Sequence, residues 1–259
     1  MRQYLVNTFT DTLFKGNPVA VCILDEWLNE ELMRLIACEN NVVETVFAVK
    51  EKDSYYLRWY TPEGELDLCG DAALAAAFVI VDNFDLDATE LTFHTSSGEV
   101  RVTRDGDLYT VELPVYPMKP VELTTDMVFA MGVIPEEAYQ GQDLVLVLKD
   151  EEAVRNCTPD YKHIRKLGGL LVHITARGTE TDCVVRSFSS GLFGLEDPIC
   201  CVGHCHVIPY WAEKLGKKEL LSYQASPRGG YLQCRYEGDK VYLSGHVKLF
   251  SIAVLDVNR

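Results

Sequence analysis

The second half of this chain repeats the first. "YYLRWYTPEGELDLCGDAALAAAFVI" finds its counterpart in "DCVVRSFSSGLFGLEDPICCVGHCHVIPYW", and "LTFHTSSGEVRVTRDGDLYTVEL" in "LLSYQASPRGGYLQCRYEGDKVYL". Arg58 and Arg186 stand 128 positions apart, Cys69 and Cys200 131, and Gly106 and Gly238 132. A spacing that stays near half the chain length predicts two lobes of one architecture. In each copy an arginine-bearing strand leads to a turn with an acid, a cysteine, an apolar helix and a hairpin.

The helix in the first copy, "CGDAALAAAFVI", is small and apolar on every side, the pattern of a helix wrapped by sheet. Its counterpart contains Pro209, which removes a helix hydrogen bond, so a kink or a fresh start is expected there. "YLVNTFT", "NPVAVCIL" and "ETVFAV" read as strands, and "NEELMRLIACENN" as an amphipathic helix capped by Asn29. The proline-rich "ELPVYPMKP" marks the join, giving lobes of 1–115 and 116–259, with the last strand free to cross back to the first lobe.

A chain of 259 residues, 47% hydrophobic, has enough material for a sizeable core. The formal net charge of −15 opposes binding to nucleic acid or anionic membranes, which reward clustered Lys and Arg. The longest apolar run, Ala72 to Val81, is far short of the roughly 20 residues of a membrane span, and "MRQYLVNTFTDT" lacks the apolar core of a secretion signal. The expected location is the cytoplasm. Nine cysteines is an odd number, and the spacings do not suit a small disulfide scaffold, so reduced thiols are expected.

Cys69 and Cys200 both fall at the start of a buried helix, where unpaired N–H groups favour a thiolate and a substrate carboxylate. Two facing lobes would present both thiols to one cleft, on opposite sides of a single carbon. Cys201, one residue on, is expected to point into the packed lobe. Glu44 interrupts the apolar string "VVETVFAV". Burial there would raise its pKa toward a useful acid/base range, whereas a solvent-facing Glu44 would be ordinary.

The segments "NTFTDTLFKGNPVAV", "NVVETVFAV", "RWYTPEGELDLCG", "EDP" and "YWAEKLGKKELLSYQASPRGGYL...GDKVYLSG" together resemble the PhzF-like family of phenazine biosynthesis. The resemblance implies an α+β, diaminopimelate epimerase-like fold: two pseudo-symmetric lobes, each a curved mixed sheet around a central helix. It also implies a cofactor-free isomerase that moves a proton on a small carboxylate-bearing substrate, working as a possible homodimer. Glu44 matches the family's proton-shuttling acid and Asp197 the acid of its E-D-P motif. Gly70, Asp71, Cys201 and Val202 fall at substrate-handling positions. Two departures stand out: Asp71 replaces the family's histidine, and Cys200-Cys201-Val202 replaces Thr-Gly-Ser.

"LCGD" and "EDPIC" also resemble the cysteine motifs of diaminopimelate epimerase and proline racemase, which implies an alternative two-thiol racemase using Cys69 and Cys200. A binding protein on an inherited enzyme fold is the non-catalytic alternative. Cys200, Cys201, His204, Cys205 and His206 are five potential metal ligands, but a closed zinc site draws ligand pairs from separated segments, so no metal is expected. His94, His163, His173 and His246 are scattered and are expected to be structural. No phosphate cradle, flavin pattern or pyridoxal lysine motif is present, in line with no cofactor.

Overall fold

The computed structural model describes residues 1–52, 54–189 and 196–257; the part of the second repeat copy at 190–195 lies outside the described residues. The helices are α1 (Glu30–Asn40), α2 (Gly70–Asn83), α3 (Thr125–Met131), α4 (Glu151–Asn156), α5 (Tyr161–Ile164) and α6 (Cys201–Leu215). The chain divides into two units, Met1–Glu112 with Ser244–Arg259, and Leu113–Leu243. The strand Lys240–Val254 begins in the second unit and ends in the first, where it pairs with Arg2–Thr8.

In the first unit, strand Asn17–Leu24 runs parallel to Glu44–Glu51, which is antiparallel to Ser54–Thr61; that strand runs parallel to Glu90–Thr95, itself antiparallel to Gly98–Asp105. In the second unit, Leu144–Val147 runs parallel to Leu171–Arg177, then come antiparallel Cys183–Ser189, parallel Glu219–Gln224 and antiparallel Gly230–Glu237. The two orders are the same. The mixed α+β topology is therefore repeated, as the sequence spacing predicts.

Both faces of the first unit's central strands are covered, because successive side chains of a strand point to opposite faces. Phe47 and Val49 join Cys22, Met33, Ile36 and Tyr60 in the core beneath α1. The alternate residues Val46 and Ala48 are left for the face against which α2 packs, and both are fully buried. Every residue of α2 from Gly70 to Ala77 is buried, which explains the lack of an amphipathic pattern. Asn29 caps α1 by accepting the Leu32 N–H at 2.8 Å. In the second unit Met131, Leu144, Leu146, Ile174 and Phe188 form the corresponding core, and α6 packs against the strands Leu171–Arg177, Cys183–Ser189, Glu219–Gln224 and Gly230–Glu237.

Pro209 does not restart the helix; α6 runs through it from Cys201 to Leu215. The carbonyl that loses its partner to the proline is that of Cys205, and the Tyr116 N–H donates to it at 3.2 Å. A segment 89 positions upstream thus satisfies the carbonyl that the proline leaves without its helix partner. All nine cysteines are free thiols. No described helix is long and apolar enough to cross a membrane.

Candidate active site

In the first unit a polar cluster forms where two strand starts meet a helix start. Val19 is in register with Glu44, so Asn17 and Glu44 emerge at the same end of neighbouring parallel strands. Gly16 makes the approach possible: it has φ +68°, and an added Cβ would lie 2.1 Å from the Thr8 carbonyl oxygen. Cys69 is the N-cap of α2, followed by Gly70 and Asp71 in the first turn. All of Asn17, Glu44, Cys69, Gly70 and Asp71 are buried.

The Asn17 Nδ2 amide donates to Glu44 Oε2 at 3.2 Å and also to Asp71 Oδ2. The Cys69 thiol donates to Asp71 Oδ1 at 3.0 Å. Burial raises the Asp71 carboxyl above its ordinary value, and the hydrogen bonds from Cys69 and Asn17 offset only part of that rise. Burial pushes the Cys69 thiol well up, and the neighbouring carboxyl groups of Asp71 and Glu44 push it further. Desolvation and two neighbouring acids thus oppose a thiolate at the start of α2, against the helix-start field. Nor does Glu44 sit in a purely apolar pocket. Its buried neighbours are an amide, a carboxyl and a thiol, whose donor atoms with Glu44's lie within 4.8 Å of one another in the case of Cys69 and Asp71. Such atoms could ligate a metal.

In the second unit Arg186 makes a two-pronged pair with Glu196, at 2.7 and 2.9 Å, and donates from Nη1 to the carbonyls of Val154 and Cys157. Its repeat partner Arg58 pairs in the same way with Glu65, at 2.7 and 2.6 Å. The next residue, Asp197, is half-buried; its Oδ1 accepts the Ile199 N–H at 3.0 Å, shaping the turn that delivers Cys200. Cys200 is the N-cap of α6, with Sγ accepting the Gly203 N–H at 3.4 Å. Burial raises the Cys200 thiol well above its ordinary value, and Asp197 adds to the rise, so the surroundings of this cysteine also oppose a thiolate. Cys201 is buried and Val202 half-buried in the first turn of α6.

A further cluster in this unit escaped the sequence pattern. His173 is not isolated: its Nε2 lies 3.4 Å from Asp143 Oδ2, and its Nδ1 lies 2.9 Å from Ser187 Oγ. His206 Nε2 lies 3.6 Å from the same Asp143 oxygen. Burial would raise the Asp143 carboxyl, but the two imidazoles beside it hold it well below the usual carboxylate range. Burial holds His173 below its ordinary value. One signal was available: Asp143 precedes the apolar run "LVLV" much as Glu44 precedes "TVFAV".

A repeated mixed sheet around a buried helix, with acids and a thiol at the helix start, defines an enzyme fold of the epimerase type. A hydroxyproline epimerase from Agrobacterium vitis shares this fold at a TM-score of 0.65 and 11% identity, over 98% of this chain and 91% of that one. Residues 6–252 match the family model described as phenazine biosynthesis-like protein, PhzC-PhzF, and the chain belongs to that family. A PhzF family protein of Enterococcus faecalis superposes with a TM-score of 0.94 at 42% identity, covering 98% of this chain and 99% of that one. An uncharacterized isomerase of Pseudomonas aeruginosa is 41% identical over 245 residues, 94% of each chain. The chain is accordingly an isomerase-type protein of the PhzF family.

Proposed function

We propose that the chain is a cofactor-independent isomerase that moves a proton on a small carboxylate-bearing acid, with Glu44 as the general acid/base. The observation that carries this reading is the buried Glu44–Asn17–Asp71 arrangement. Two carboxyl groups tethered to one amide, away from water, cannot both ionise cheaply, so one holds a proton while the other is free to accept one. That supplies an acid and a base side by side. Asp71, with its pKa raised by burial, takes over a position where the family resemblance implies a histidine. Gly70, at the start of α2 beside Asp71, serves substrate in this reading.

The direct test is incubation in deuterated water with a panel of amino and hydroxy acids, followed by detection of label at carbon. Glu44→Gln should lower exchange about 100-fold or more, the scale for losing a positioned acid/base group. Unchanged exchange in that variant would sink the assignment. Cys69→Ser and Cys200→Ser separate this reading from the two-thiol racemase, which must lose inversion in both. The raised pKa of each thiol favours Glu44. A binding protein would retain ligand affinity in Glu44→Gln and show no exchange in any variant.

A further inference from the structure

The proposed proton transfer makes no use of Asp143, His173 and His206, yet the three are fully buried, with one ligating atom from each within 4.8 Å of the others. We propose that they form a binding site for one divalent transition-metal ion, Zn2+ by its donor chemistry.

Hydrogen-bond accounting supplies the first argument. Asp143 Oδ1 accepts the backbone N–H groups of Leu170 and Leu171 at 3.1 and 2.9 Å, which leaves Oδ2 directed at the two imidazoles. His206 Nδ1 lies 3.1 Å from the Tyr116 carbonyl oxygen. A carbonyl only accepts, so Nδ1 carries the hydrogen, and Nε2 is the ring atom turned toward Asp143. That Nε2 is buried with no hydrogen-bond partner and faces a carboxylate oxygen 3.6 Å away. A carboxylate oxygen and an imidazole nitrogen that converge in a dry site offer a pair of ligands to a cation.

Geometry supplies the second. Zinc bonds to nitrogen and oxygen of about 2.0–2.1 Å set ligand atoms roughly 3.3 Å apart around a tetrahedron. Asp143 Oδ2 stands 3.4 Å from His173 Nε2 and 3.6 Å from His206 Nε2. The remote nitrogen of each ring is held by an oxygen, Ser187 Oγ at 2.9 Å and the Tyr116 carbonyl at 3.1 Å, the outer support that orients metal-bound imidazoles. Two glycines keep the space: an added Cβ would lie 2.8 Å from His173 Nδ1 at Gly203 and 3.1 Å from His206 Cε1 at Gly141. Gly141 is half-buried and Gln142 exposed, so the chain next to Asp143 reaches the surface. Two imidazoles and one carboxylate suit zinc and leave a fourth position for water. The ion would tie the turn at Asp143, the strand at His173 and α6 together.

Protein made without a polyhistidine tag, stripped with chelator and titrated with Co2+, should take up about one ion per chain and show the visible absorption of a four-coordinate nitrogen and oxygen site. Zn2+ should displace it. His206→Gln and Asp143→Asn should abolish the band. Ser187→Ala, which touches only the outer support of His173, should weaken Zn2+ binding about 10- to 100-fold with the circular dichroism spectrum unchanged. Wild-type protein that stays metal-free and colourless would overturn the proposal and leave a hydrogen-bonded network. So would a Co2+ spectrum dominated by thiolate charge transfer that persists in His206→Gln and vanishes in Cys69→Ala.

Discussion

Helices α2 and α6 occupy the same place in their units and are filled in opposite ways. The buried stretch of α2 is alanine with leucine, valine and isoleucine, and its polar contacts are concentrated at its first turn. The buried face of α6 carries His204, Cys205, His206 and Trp211. Each polar ring there is answered by a distant segment: His204 by Ser222 at 2.9 Å, His206 by Tyr116 and Trp211 by Thr175 at 2.9 Å. An apolar helix needs only a cavity of the right volume. A polar one also needs every partner in register, because each unmatched buried group costs about 1–3 kcal/mol. The second unit has thereby gained ligating side chains along the buried face of its helix, whereas those of the first are confined to the start of α2.

The largest expected contrast between the units lies in the repeated arginine. Arg186 and Glu196 are 10% and 13% exposed, and Arg186 also satisfies backbone carbonyls. Arg186→Ala should cost about 3–5 kcal/mol, as for a broken buried pair, whereas Arg58→Ala, whose side chain is 26% exposed, should cost about 1 kcal/mol or less. Urea unfolding of both variants checks this, and equal losses would mean that the two pairs do the same job. Next comes the first turn of the helices, where Ala72 and Gly203 stand 131 positions apart. Gly203→Ala should destabilise by about 1–3 kcal/mol through the clash with His173, although alanine is the better helix former. Ala72→Gly should cost only about 0.5–1 kcal/mol, the ordinary backbone penalty, with thermal unfolding as the readout. The smallest effect is expected at Pro209. Because Tyr116 already serves the Cys205 carbonyl, Pro209→Ala should change stability by less than about 1 kcal/mol, well short of the roughly 3 kcal/mol of an uncompensated helix proline. A gain near the full value would show that Tyr116 does not compensate.

The repeat, the buried α2, the Asn29 cap and the strands at Asn17 and Glu44 were all legible in the chain, since each depends on residues near one another or on a constant spacing. Glu44, Cys69 and Asp71 were legible as candidate site residues, Glu44 and Asp71 through their motif positions and Cys69 through its place at a helix start. Their electrostatics were not: a helix start promises a thiolate, and only the packed structure shows Asp71 and Glu44 beside the sulfur.

What the amino-acid order determined by itself was local and periodic: which segments become strand or helix, which helix is wrapped by sheet, and that the plan occurs twice. What only the tertiary structure decided was which distant polar groups meet. Asn17 reaches Asp71 across 54 positions, and Asp143, His173 and His206 converge from three separate segments. Tyr116 rescues the carbonyl freed by Pro209. Hydrophobic patterning has a period that can be read along a chain, whereas a hydrogen bond or a ligand contact depends on a few ångströms and on direction, which exist only once the sheets have paired and the helices have packed.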